Sequence, residues 1–168
     1  MKKSFTFVAS ILALVLFCTT SCSAFRREGR TRAHTLMVTG NYMNARLLCD
    51  LAQYKSKQPI LLFSSDDTGN QQIFFLPASS KVQQIDENDF LDIISFVNPR
   101  RIAIVGDERY VPKTYVDQIR EKFPAMVFKS QDWEQNARML GELLNQRTLQ
   151  KDFVDSKTRL SKAGIDSK

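Results

Sequence analysis

Asn98-Pro99-Arg100-Arg101-Ile102-Ala103-Ile104-Val105-Gly106 decides the fold. The residue before a proline is pushed out of helical geometry, so Asn98-Pro99 closes the preceding element. Ile102 to Val105 then runs without a polar break into Gly106. A strand that is apolar on both faces needs cover on both faces, which a sheet with one wet face does not give.

Working outward, the same kind of strand recurs. Leu36-Met37-Val38 ends at Gly40, and Asn41 is the expected N-cap of a helix over Tyr42 to Tyr54, where Ala45, Leu48, Cys49 and Ala52 share one face. Pro59 introduces Ile60-Leu61-Leu62-Phe63, followed by the turn cluster Ser64 to Asn70. Ile73-Phe74-Phe75-Leu76 is a further strand stopped by Pro77, and Val82 to Ile85 a short one. Asp86 is the expected cap of a helix presenting Phe90, Leu91, Ile94 and Val97. Beyond the central strand come a helix with Pro112 near its first turn and Tyr115, Val116 and Ile119 inward, then the strand Met126-Val127-Phe128. A helix from Asp132 to Leu149 with Ala137, Leu140 and Leu144 inward follows. This rhythm predicts a three-layer α/β/α sandwich with a mainly parallel, Rossmann-like sheet over residues 35–149. Residues 150–168 hold few large apolar side chains and read as a flexible polar tail.

The 168 residues are 43% hydrophobic and 25% charged, an ordinary globular composition that excludes collagen-like, disordered and multi-span membrane proteins. A formal charge of +6 raises a nucleic-acid partner. Its distribution argues against one: residues 35–144 carry twelve basic and fourteen acidic side chains, and the excess lies at the two ends.

Lys2 and Lys3, an apolar run from Phe5 to Phe17, and the small residues Thr19, Thr20 and Ser21 have the layout of an export signal over residues 1–21. The run is shorter than the ~20 residues that cross a bilayer. Cys22 follows Thr20-Ser21 as in a bacterial lipoprotein signal, and lipidation there would anchor the mature chain by its acyl groups. Cleavage after Ala24 is the rival. Residues 22–34, with Arg26, Arg27, Arg30 and Arg32, form a basic linker suited to anionic headgroups or simply to solvent. The expected address is the cell envelope, on the exported face of a membrane.

With Cys18 lost and Cys22 lipidated, Cys49 is the one remaining thiol, and its leucine neighbours make it a small core residue. The single histidine, His34, lies outside the body, which argues against Ser-His-Asp or Cys-His catalysis and against a Cys/His metal site. Neither G-x-G-x-x-G nor a P-loop occurs, so no nucleotide cofactor is expected. In a parallel sheet ligands sit outside the carboxyl ends of the strands. That selects Gly40, Asn41, Gly106, Asp107, Glu108 and Arg109 as ligand-binding candidates, with Arg109 a planar donor fork for an anion. Asp66, Asp67, Asp107 and Glu108 could gather a divalent cation, although such carboxylates are more often caps and turn residues.

Two stretches carry a resemblance. Thr39-Gly40-Asn41-Tyr42-Met43-Asn44-Ala45, followed by Pro59-Ile60-Leu61-Leu62, resembles S-G-x-N-F-x-D-A-L and P-I-L-L of the cell-wall-binding repeats (type 2) of Gram-positive surface proteins. Asn98-Pro99-Arg100-Arg101-Ile102-Ala103-Ile104-Val105-Gly106 resembles their K-P-K-K-V-Y-I-V-G-G, and Val111 to Val116 takes the place of A-V-S-D-x-V. The resemblance spans Thr35 to Leu144 and implies an α/β fold that binds an anionic wall polymer. The family carries three tandem repeats where this chain has one, which implies a homotrimer as one expectation. Asp107 replaces the second glycine of V-G-G, and residues 66–85 are an insertion. The reading is therefore a non-catalytic, lipid-anchored envelope module for an anionic polymer or a partner protein. A small exported hydrolase or transferase using the strand-end carboxylates, and a homo-oligomeric structural subunit, are the alternatives.

Overall fold

In a computed structural model describing residues 33–66 and 68–165, the continuous apolar stretches are strands. They are β1 (Thr35–Gly40), β2 (Ile60–Ser65), β3 (Gln71–Leu76), β4 (Gln83–Ile85), β5 (Arg101–Val105) and β6 (Ala125–Phe128). The helices are α1 (Met43–Ser56), α2 (Phe90–Val97), α3 (Lys113–Lys122), α4 (Trp133–Leu144) and α5 (Leu149–Lys162). One six-stranded sheet has the order β4-β3-β2-β1-β5-β6. Its four central and right-hand strands β2, β1, β5 and β6 are parallel, while β3 and β4 add an antiparallel edge. The segment read as an insertion is thus this edge: two reversals that lengthen the sheet without disturbing its parallel centre.

Successive side chains of a strand point to opposite faces, and every central strand feeds two cores. On one face Leu36, Val38, Leu61, Phe63, Ile102 and Ile104 meet α2 and α3 through Phe90, Ile94, Tyr115 and Ile119. On the other, Met37, Ile60, Leu62, Ala103 and Val105 meet α1, α4 and α5. This is the expected three-layer α/β/α sandwich. The chain leaves β1 through α1 toward β2 and leaves β5 through α3 toward β6 in the opposite direction, so strand order reverses between β1 and β5.

The expected tail is the clearest correction. The helix that begins at Trp133 stops at Leu144, because Asn145 turns left-handed (φ 56°) and the Gln146 N–H donates to the Gly141 carbonyl at 2.7 Å. The chain restarts as α5, whose Leu149 and Phe153 are fully buried against α1 and α4. Lys55 on α1 pairs with Asp152, and Gln146 Nε2 donates to the Ala52 carbonyl at 3.0 Å. Two well-placed apolar side chains suffice to dock an otherwise polar helix. The caps also differ from expectation. Tyr42, not Asn41, precedes α1 and makes no side-chain cap bond. Asp86 caps the short turn Glu87–Asp89 ahead of α2, while Asp132 caps α4 as expected.

Among the described residues no helix is long and apolar enough to cross a membrane. Cys18, Cys22 and the apolar run Phe5 to Phe17 lie outside the described residues.

Cys49 is fully buried, and burial pushes its thiol up to about 12, well above the range in which a thiolate forms. Alkylation of the Cys49 peptide, followed by mass spectrometry, should therefore be negligible in native buffer and complete in denaturant. Rapid labelling of the folded chain would contradict this packing.

Candidate functional site

The reversal of strand order brings Gly40 at the end of β1 beside Gly106 just after β5. The Asn41 N–H donates to the Phe63 carbonyl (2.7 Å) and the Gly106 N–H to the Phe128 carbonyl (2.8 Å), so both loops are tied to the ends of the flanking strands. The buried Thr39 hydroxyl donates to the Val105 carbonyl at 2.8 Å and stitches β1 to β5 just below them. The six candidate residues do converge, on one edge of the sheet.

What lies between the two glycines was not legible beforehand. Tyr110 fills the crevice. A methyl group on Gly40 would stand 2.5 Å from the Tyr110 carbonyl oxygen, and one on Gly106 would stand 2.6 Å from Tyr110 Cβ and Cγ. Gly106 also has a φ of 112°. Open α/β sheets bind cofactors in this crevice. Here it is a packing site.

The turn that delivers Tyr110 is built by Asp107. Its carbonyl accepts from the Tyr110 and Val111 N–H groups, and its carboxylate accepts from the Arg109 N–H at 3.0 Å. The Arg109 guanidinium folds back onto the same carboxylate, Nε at 3.1 Å and one terminal nitrogen at 2.7 Å. That guanidinium holds Asp107 below the usual carboxylate range. The donor fork expected to face an anion is thus turned toward an internal partner, although the Arg109 side chain remains 74% exposed. Glu108 is exposed.

Of the four carboxylates considered for a cation, the three that are described, Asp66, Asp107 and Glu108, do not form a metal-binding group. Asp66 closes the β2–β3 turn by accepting from the Thr68 hydroxyl (2.7 Å), the Thr68 N–H (2.9 Å) and the Asn70 N–H (2.8 Å). The Thr68 hydroxyl is the main reason its pKa is lowered. Asp107 is engaged by Arg109, and Asp67 lies outside the described residues. Among the described residues no group of three or more His, Cys, Asp or Glu could hold a metal ion.

Around Tyr110 the surface is aromatic. Its ring meets Tyr42 edge-on (centroids 4.9 Å, planes at 69°) and Trp133 edge-on (5.3 Å, 65°). Asn136, fully buried, receives the Ser130 N–H at 3.0 Å and returns its amide to the Ser130 carbonyl at 2.8 Å, fixing the loop that leads into Trp133. Two open depressions flank Tyr110. One of about 250 Å³ has Asn41, Tyr42, Ser64 and Gln71 in its wall, and one of about 270 Å³ has Ser130, Gln131 and Trp133. A third, of about 460 Å³, lies beyond Asp107 toward Lys113, Arg120 and Lys129. Asn41 Nδ2 donates to Ser64 Oγ at 3.2 Å.

Sequence reasoning selected the loops that meet at this edge and did not select the three rings. Tyr42 and Trp133 each stand where a helix starts after a strand, and that position alone could have placed both at this edge. Comparison of the chain with family models, curated proteins and solved structures found no match.

Proposed function

We propose that the chain is an exported, lipid-anchored envelope protein whose α/β domain binds an envelope polymer at the carboxyl edge of the sheet, without chemical turnover. The observation that carries this reading is Tyr110: seated between Gly40 and Gly106, it replaces a cofactor crevice by a shallow, open, aromatic surface. Such a surface suits an extended polymer better than a small substrate that must be enclosed. Asp66 and Asp107, two of the carboxylates that a hydrolase would use, are engaged in holding their own turns.

The resemblance to cell-wall-binding repeats supports the same reading, as do the signal-like layout and Cys22. The chain enters β1 at Thr35, at the amino edge of the parallel strands, and the site lies at the opposite edge. A six-residue strand spans ~20 Å. The depression at the amino edge, about 490 Å³, is lined by Lys57 and small loop residues such as Ser79 and Ser80, with no aromatic ring.

Two measurements test the proposal. Cys22→Ser should release the protein from the membrane fraction or block its processing, and a variant that still partitions with membranes at the normal mature mass would contradict lipid anchoring. The wild-type mature chain should co-sediment with isolated envelope polymer and leave it uncleaved. Protein left in the supernatant while the polymer sediments, or a shortened polymer, would contradict binding without turnover.

A further inference from the structure

We propose that Tyr42 and Trp133, braced by Tyr110, form a platform that stacks against the sugar rings of a glycan, so that recognition rests on pyranose faces ahead of charge. This deepens the envelope-polymer reading and names the class of ligand.

Three observations carry it. First, Tyr42 occupies a helix N-cap, where Ser, Thr, Asp or Asn are favoured by ~1 kcal/mol over residues that cannot cap. It makes no cap bond and is 52% exposed, while Asn41, a good cap, stands one position too early. A local choice that costs stability and leaves half of a large aromatic residue in solvent marks a residue kept for a surface role. Second, the ring behind it is packed. Gly106 lies against the Tyr110 side chain and Gly40 against its backbone, and the ring meets Tyr42 and Trp133 on either side, which limits the freedom to be lost on binding. Third, the surroundings are rich in hydrogen-bonding groups, and Lys129, in the wall beside Trp133, is the one cation there that forms no ion pair among the described residues. Asp107 and Arg109 neutralise each other, and Lys113 pairs with Asp117 at 2.6 Å. The depressions on either side of Tyr110 offer Asn41, Gln71 and Gln131, whose amides both donate and accept. Apolar faces bordered by amides and hydroxyls match a sugar, which has C–H groups on its ring face and hydroxyls at its rim. An apolar protein partner would need a continuous apolar border, and a polyanion would find one unpaired cation, Lys129, beside the rings.

Trp133 is the only tryptophan of the chain, so its emission reports on this surface alone. The probe is a neutral β-1,4-linked N-acetylglucosamine oligomer titrated into the mature protein at low and at high salt, beside isolated anionic envelope polymer. The expected result is a saturable change in Trp133 emission with the neutral oligomer, with a midpoint nearly independent of salt. Tyr42→Ala should weaken it about tenfold or more at unchanged melting temperature, and Tyr42→Phe, which keeps the ring, should retain it. If the anionic polymer binds only at low salt and the neutral oligomer leaves Trp133 unaffected, recognition is by charge; the platform is then overturned while the envelope-polymer reading stands. If the oligomer binds equally to wild type and Tyr42→Ala, the platform is likewise overturned. If neither ligand binds, both fail together.

Discussion

Phe153→Ala is expected to destabilise the domain by ~3–5 kcal/mol, the cost of removing a large side chain from a closed core. Phe153 is fully buried beside Leu48, Cys49, Ala52, Leu140 and Leu149, so the truncation opens a void where α5 meets α1 and α4. Small domains hold only ~5–15 kcal/mol in total. The variant should therefore unfold at a much lower denaturant concentration with little change in slope. A loss of less than ~1 kcal/mol would show that α5 is an appendage after all, as composition alone suggests.

Gly106→Ala should cost ~2–5 kcal/mol, from two sources that a control can separate. One is backbone strain at a φ of 112°; the other is the collision of the new methyl group with Tyr110 at 2.6 Å. Gly69 supplies the control, since it also has a positive φ (84°) but no atom within 4 Å of an added Cβ. Gly69→Ala should thus lose only ~1 kcal/mol, the cost of strain alone. Thermal unfolding of both variants checks the difference. Equal losses would mean that Tyr110 is not the packing element that fills the crevice, and the central feature of the site would go with it.

How much could be read from sequence depends on how local the cause is. The strands around Leu36, Ile60 and Ile102 were legible because burial on both faces leaves an uninterrupted apolar run, and the half-exposed edge strand around Val127 because it too is apolar throughout. The Asp132 cap was legible because a cap acts within three residues, its carboxylate taking the Glu134 N–H at 2.9 Å. The loops of the site followed from topology, since a parallel sheet must bring Gly40 and Gly106 to one edge. The helix α5 was missed because Leu149 and Phe153 are only two anchors in a charged stretch, and their value depends on the gap between α1 and α4. Tyr110 was missed for the same reason on a larger scale. It touches Gly40, Tyr42 and Trp133, which are far from it in sequence, and no periodicity links them. Arg109 was legible as a position and not as a state, because its pairing with Asp107 depends on the turn those two residues build.

The most direct test of binding at the carboxyl edge is backbone amide shift mapping of the mature protein during titration with isolated envelope polymer, with the polymer sized before and after. Binding without turnover at this edge requires that the largest shifts fall at Gly40 to Tyr42, Gly106 to Tyr110 and Ser130 to Trp133, with the polymer recovered at its starting size. Shifts gathered instead around Lys57, Ser79 and Ser80 at the amino edge, or a polymer shortened during the titration, would contradict it.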